Sequence, residues 1–361
     1  MTDRGPLLRV LLTLLAAINL LIAIWVIAHD PRRSSDLQTI YEWCRQWLHG
    51  HVDLYALPDA ATDYPPNAIV LYSPLALLPS SWLVPVWTAA NLALAVLLPI
   101  AAVQAAGDRR LRAPLIVACF LCWSAVRTLL QFSALSLTLS MVALYLSDRR
   151  PFMSGTLLGL ALAKPHIAGP VALWALVTRR WPVIVTAVSI VVAGTAIYCL
   201  WTGAAPALTM QRYWSVLATT YGGRDGLTGV TSIRAWVNSD AVWLVLSAML
   251  LLVASAMAAV SRRASGLDRL TLVASLCLCS LASVYHNGNN LILALPAFLV
   301  LWLRAPLAVV VIVQMLLMLD VPARVPRPPF VDANRVLVVA MLGYLIALWW
   351  RARTRADIMS S

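Results

Sequence analysis

The amino-acid sequence predicts an all-α, polytopic membrane protein with about twelve transmembrane helices. Of its 361 residues, 61% are hydrophobic and only 12% are charged, whereas a soluble domain has about 45–50% apolar and about 25% charged residues. The apolar residues also form long runs separated by short arginine clusters, as membrane spans and their connecting loops do. We therefore expect a single integral membrane domain over residues 1–361.

The arginine clusters predict how the chain is oriented. With the N-terminus inside, the inner connections are 108–112, 148–150, 179–180, 262–263 and the C-terminal tail from 351. Short cytoplasmic loops carry the excess of basic residues in membrane proteins. Both termini are accordingly expected in the cytoplasm.

Three longer segments, 30–66, 203–236 and 321–334, then face outwards. The stretch 66–80 begins with a proline and is interrupted by two more. If it crossed the membrane, every later arginine cluster would change sides. We therefore expect 66–80 to be a re-entrant element or to lie on the surface.

A short interfacial helix is predicted in the first outer loop. Apolar residues there follow the spacing i, i+3, i+4, i+7 of one helical face, at Leu37, Ile40, Tyr41, Cys44, Trp47 and Leu48. Asp36 falls in the first turn, where the helix dipole favours an ionised carboxylate. Such a carboxylate at the mouth of a membrane cavity can act as a general base. The alternative is that Asp36 is there because aspartate favours helix starts.

Further polar residues lie at the predicted outer ends of later spans. They are Arg127 and Gln131 at one turn, Lys164 and His166 at a second, and His286, Asn287 and Asn290 at a third. Positioned cations and imidazole groups stabilise phosphate charge, so Arg127, Lys164 and His286 are candidates for binding a lipid phosphate. The alternatives are a basic side chain that snorkels to the interface and a Lys-Pro turn that only breaks a helix.

These turns face the same side in the predicted topology, so they are expected to converge on one cavity with Asp36. Its walls would include Gln131, His166, Asn287 and Asn290, together with Tyr64 from the rigid Tyr-Pro-Pro turn that ends the first loop.

Several other functions fit the sequence less well. The net charge of +12 could indicate nucleic-acid binding, but the arginines alternate with apolar runs and form no single patch. His49 and His51 have no neighbouring ligands, so no metal site is expected. A lipid or sugar transporter or flippase usually carries ionisable groups near the bilayer midplane, whereas Asp240 and Asp320 lie near predicted span ends. A transporter remains the alternative, and a non-catalytic subunit of an assembly is a third class.

The order of short motifs resembles a known family. After the first span come Asp36, Gly50-His51-Val52-Asp53-Leu54-Tyr55, Tyr64-Pro65-Pro66, Pro74-Leu75-Ala76-Leu77-Leu78-Pro79, Gln131, Lys164-Pro165 and His286. From about residue 10 to 350 this pattern is similar to glycosyltransferase family 87. That family comprises bacterial polyprenyl-phosphate-mannose-dependent alpha-mannosyltransferases with the C-type membrane fold.

The resemblance implies a hexosyltransferase of the bacterial plasma membrane with an outward-facing active site. It would move a sugar, mannose above all, with inversion, from a polyprenyl-phosphate donor to a glycolipid or glycan acceptor, in the synthesis of cell-envelope glycolipids. Membrane lipids would be its surroundings, and neither a cofactor nor a metal is implied. Asp36 matches the family's first-loop catalytic aspartate, and Lys164 and His286 match positions near the donor phosphate. One departure is Leu130-Gln131-Phe132-Ser133, where the family often has Gly-Gln-x-Asn.

Overall fold

A computed structural model describes residues 35–57, 62–112, 114–119, 132–222, 239–283, 288–306 and 329–360, with a few isolated residues elsewhere. Within these ranges the chain is helical and contains no strand. The predicted all-α class is therefore confirmed.

The helices with defined bounds are α1 (Ser35–Gly50), α2 (Pro66–Tyr72), α3 (Ser80–Ala106), α4 (Ser133–Leu146), α5 (Pro151–Ala161), α6 (Pro165–Val177), α7 (Trp181–Thr202), α8 (Pro206–Gly222), α9 (Asp240–Val260), α10 (Gly266–Ser283), α11 (Leu295–Arg304) and α12 (Pro329–Ser360). Short 3-10 helices cover Leu54–Ala56, Ser73–Leu77, Arg109–Arg112 and Gly288–Ala294. Proline stands in the first turn of α5, α6, α7 and α11. A helix can begin with proline because the missing N–H would have no partner inside the helix there.

Four helices, α3, α7, α9 and α10, are long and apolar enough to cross a membrane. On α7 and α9, large apolar side chains such as Val192 and Leu252 are exposed, as a surface in contact with lipid requires. The membrane class is thus confirmed. Helices α4, α5, α6 and α11 are shorter than the roughly 20 residues of an ordinary span, and the count of about twelve spans stays a prediction.

Helix α10 is the centre of the described bundle. It is buried without interruption from Arg269 to Ser283, and α3, α6, α9, α11 and α12 pack around it. Near its start, Arg269 Nη1 lies 2.6 Å from Asp148 Oδ2. Near its other end, Ser280 Oγ donates to the carbonyl of His166 over 3.1 Å. Because a helix rises by about 1.5 Å per residue, the contacts of Arg269 and Ser280 lie at opposite ends of α10. They therefore mark two separate ends of the molecule.

Two glycines one turn apart let α5 and α7 approach closely. A Cβ on Gly155 would lie 2.5 Å from Thr186 Cβ, and a Cβ on Gly159 would lie 2.6 Å from Ile190 Cβ. Small residues at this four-residue spacing are a common basis of helix packing in membranes, because they allow dense contact between backbones. The pair therefore fixes the helix that leads to Lys164.

Substituting one of these glycines should destabilise the bundle. We expect Gly159→Ala to lower the free energy of unfolding by about 1–3 kcal/mol, because the added methyl group overpacks the interface. Gly169→Ala is the matched control, since a Cβ at Gly169 meets nothing within 4 Å. Thermal midpoints in detergent, followed by tryptophan fluorescence, measure both. Equal midpoints for the two variants would contradict the packing argument.

Candidate active site

The predicted interfacial helix is present as α1. Its apolar face is buried at Leu37, Ile40, Tyr41, Cys44 and Trp47, and Asp36 lies half-buried in its first turn. The Tyr41 hydroxyl donates to the carbonyl of Leu78 over 2.8 Å. This contact holds α1 against the segment that follows the first loop. The position of Asp36 is therefore set by the packing of α1 on that segment.

That segment, residues 66–77, is α2 followed by a 3-10 helix. Its twelve residues would span about 18 Å as an α-helix, which is too short to cross a hydrocarbon core of about 30 Å. It packs closely on α7, since a Cβ on Gly194 would lie 2.8 Å from Asn67 Cβ. Its placement relative to the bilayer stays a prediction.

Lys164, the only lysine in the chain, lies in the turn between α5 and α6 with 4% of its surface exposed. Its Nζ donates to Ser133 Oγ over 2.9 Å. Ser133, the first residue of α4, donates in turn to Asn290 Oδ1 over 2.9 Å. The Asn290 amide nitrogen lies 3.5 Å from His166 Nε2. The structure thus brings Asn290 to Lys164 and His166, from a turn far away in the sequence.

Two carboxylates and an aromatic ring interact with the Lys164 ammonium. Burial lowers the pKa of Lys164 to about 8, while the negative charges of Asp63 and Asp36 act in the opposite direction. Nζ also lies 5.6 Å from the centre of the Tyr64 ring, within the range of a cation–π contact. Electrostatic interactions and the ring contact thus link Asp36, Tyr64 and Lys164, and their common role as a site stays a prediction.

Asp53 stabilises the conformation of the first outer loop. Its Oδ1 accepts from the Tyr55 N–H over 3.3 Å and from the Tyr198 hydroxyl over 3.2 Å. Its Oδ2 lies 3.0 Å from Arg212 Nη1. The Tyr198 hydroxyl also accepts from the Leu54 N–H over 2.8 Å. These bonds tie the first outer loop to α7 and α8, so they stabilise the loop that carries Asp36 and Asp63.

An aromatic cluster lies next to these hydrogen bonds. Trp47 stacks on Tyr198 with ring centres 6.0 Å apart, and Tyr55 meets Tyr213 edge-on at the same separation. Burial raises the pKa of Tyr213 to about 12 and that of Tyr55 well above its ordinary value. Both hydroxyls therefore stay protonated near neutral pH.

His51 is also part of the aromatic cluster. Its ring stacks on Trp201 at 4.7 Å, and its Nδ1 lies 3.1 Å from the Trp201 carbonyl. Within the part of the chain that the structure describes, no three histidine, cysteine, aspartate or glutamate residues form a group suited to a metal. Here His51 has a structural role.

Four predicted site residues, Arg127, Gln131, His286 and Asn287, lie outside the described residues. The structure adds Ser133, Asp63 and the Asp53–Arg212 pair. The signal for Ser133 was available, since it occupies the asparagine position of the family's Gly-Gln-x-Asn pattern. Arg212 had no such signal, because 159 residues separate it from Asp53.

A family model described as glycosyltransferase family 87 matches residues 62–286, more than half of the chain. The chain belongs to glycosyltransferase family 87. The resemblance carried by the ordered motifs is thereby confirmed, and the protein is a membrane glycosyltransferase. Tyr64 and Lys164 lie within the matched segment, whereas Asp36 precedes it. Comparisons with curated proteins and with solved structures gave no match.

Removing the Asp53 carboxylate should loosen the first outer loop. We expect Asp53→Ala to lower the free energy of unfolding by about 1–3 kcal/mol, because it leaves the Tyr198 hydroxyl and the Tyr55 N–H without their acceptor. The pair with the partly exposed Arg212 adds little. Faster proteolysis of the loop and a lower thermal midpoint measure the effect.

The control is Asp108→Ala, which removes a local pair with the exposed Arg110. It should leave the thermal midpoint and the cleavage rate of the first loop as in the wild type. If Asp53→Ala behaved like this control, Asp53 would not hold the loop.

Proposed function

We propose that this glycosyltransferase moves a hexose, mannose above all, from a polyprenyl-phosphate donor to a hydroxyl of a glycolipid or glycan acceptor. The observation that supports the proposal is the buried ammonium of Lys164, which donates to Ser133, lies near the Tyr64 ring and interacts electrostatically with the carboxylates of Asp36 and Asp63. One cation and one base are the groups that such a transfer requires.

Lys164 binds the donor phosphate in this proposal. A charge acts more strongly on a phosphate oxygen in a buried site than in water, and the Ser133 hydroxyl orients the ammonium. Arg127 and His286, predicted from the sequence, are proposed as further ligands of the phosphate. Tyr64, His166 and Asn290 are proposed to contact the substrates, and Gln131 and Asn287, predicted from the sequence, are proposed to join them.

Asp36 is the general base. The acceptor oxygen forms its bond to the anomeric carbon from the face opposite the phosphate, and its proton passes to the Asp36 carboxylate. The bond between the anomeric carbon and the phosphate oxygen breaks, and its electron pair leaves with the phosphate. Because the phosphate departs as a stable anion, no general acid is needed. Attack from the opposite face inverts the anomeric configuration.

The distribution of charge supports an active site on the outer face of a bacterial plasma membrane. Asp148 binds both Arg180 and Arg269 at the end of the bundle opposite to Lys164. Basic residues collect on the cytoplasmic side of membrane proteins, which supports an outward-facing Lys164 end. In the four candidate spans, charged residues lie only near helix ends, whereas an ion-coupled transporter keeps them near the midplane.

The role of Asp36 can be tested by a substitution that keeps its shape. Asp36→Asn should lower turnover by about 100-fold or more, because the amide cannot take up the acceptor proton. Donor binding and the thermal midpoint should remain as in the wild type. The control is Glu42→Gln on the exposed side of α1, which makes the same chemical change away from the site. Wild-type turnover of Asp36→Asn, measured with polyprenyl-phosphate mannose, would remove Asp36 from the mechanism.

The role of Lys164 predicts a pH dependence. The ammonium is charged below its pKa of about 8 and neutral above it, so kcat/KM should fall as the pH rises through about 8. Ser133→Ala removes the hydrogen-bond acceptor of the ammonium, which should move this alkaline limb to lower pH.

The control is Ser154→Ala, which removes another buried hydroxyl whose hydrogen bond, to Ala143, lies away from the site. Its pH profile should match that of the wild type. A wild-type profile for Ser133→Ala would show that the titrating group is not Lys164.

A further inference from the structure

A second polar site lies at the end of the bundle opposite to Lys164. A cleft of about 590 Å³ opens between the end of α9, the start of α10, the end of α11 and Trp349 of α12. Its volume is within the range of small-molecule binding sites, about 300–1,000 Å³. Helix α10 separates it from the candidate active site, because the cleft contacts residues at the start of this helix and His166 contacts residues near its end.

The cleft is rich in positive charge. Arg262, Arg263 and Arg304 line it against one carboxylate, that of Asp268. Asp268 is already bound by Arg304 at 2.6 Å. Arg262 and Arg263 are exposed and form no ion pair within the described ranges. Exposed guanidinium groups outside ion pairs are well suited to bind a phosphate, with which they form charge-assisted, bidentate hydrogen bonds.

An apolar stripe leads into the cleft along α9. Met249, Val253 and Val260 are exposed, and their spacings of four and seven residues place them on one face of the helix. Val260 itself lines the cleft. The stripe therefore connects the arginines to a surface that lies against lipid.

The wall on the other side is aromatic. Trp349 lines the cleft and its Nε1 donates to Ser261 Oγ over 3.0 Å, which fixes the indole ring beside the arginines. Tryptophan is enriched at the level of lipid headgroups, where one edge of the ring is polar and the rest is apolar. A phosphate site, an acyl-chain stripe and an interfacial tryptophan thus occur together.

We propose that this cleft binds an anionic phospholipid, with its phosphate on Arg262 and Arg263 and an acyl chain along the exposed face of α9. Basic pockets between membrane helices bind such headgroups by the same chemistry. The apolar stripe favours a lipid over a free phosphate ion, because a free ion would use the arginines alone. This site is separate from the donor site at the other end of α10.

Native mass spectrometry of the delipidated full-length protein tests the proposal, with phosphatidylglycerol and phosphatidylcholine titrated in turn. Phosphatidylglycerol should bind at least about tenfold more tightly, since it carries a net charge at the headgroup. The double variant Arg262→Gln/Arg263→Gln should lose about 10–30-fold of this affinity. Its affinity for phosphatidylcholine should fall by less than about threefold, because the choline ammonium offsets the charge of the phosphate.

The control is Arg149→Gln/Arg150→Gln. It removes two exposed arginines from a turn at the same end of the bundle, outside the cleft, and should change the affinity less than about threefold. Equal losses in both double variants would overturn the proposal in favour of a diffuse surface charge. Displacement of the lipid by millimolar inorganic phosphate would also overturn it, because the ligand would then be a soluble anion.

Discussion

The hydrogen bond from the buried Lys164 ammonium to Ser133 is the interaction on which the candidate active site depends. Removing an ammonium from water is costly unless charges and acceptors replace the lost hydration. Here Ser133 provides the acceptor, and Asp36 and Asp63 provide negative charge. Because Ser133 belongs to α4 and the two aspartates belong to the first outer loop, satisfying one cation links these two parts of the chain to the turn that carries Lys164. A bound anionic donor would satisfy the same cation further.

The bilayer imposes the second constraint. Polar groups are costly within the hydrocarbon region, so the charged side chains of the described spans lie near their ends. At one end the carboxylates face a buried lysine. At the other, arginines outnumber carboxylates around Asp148 and in the cleft beside Trp349. One constraint thus produces two polar regions of different charge, for which we propose proton transfer and the binding of a lipid headgroup.

Local patterns predicted local features correctly. The apolar spacing from Leu37 onwards predicted α1 and put Asp36 in its first turn, because helical periodicity depends only on the sequence itself. The Asp53–Arg212 pair escaped prediction, since it depends on how α8 meets the first loop. The number of spans could not be fixed either, because α5 and α6 are shorter than an ordinary span, and the packing of α5 on α7 through Gly155 and Gly159 depends on contacts between separate helices.

The central claim is that Lys164 receives the donor phosphate beside Asp36. A cryo-electron microscopy structure of the protein with bound polyprenyl phosphate tests it most directly. We expect the phosphate in ion-pair contact with Lys164 Nζ, and open space for an acceptor between the phosphate and the Asp36 carboxylate. A phosphate bound elsewhere, with Lys164 still buried against Ser133 and out of contact with the phosphate, would contradict this role of Lys164.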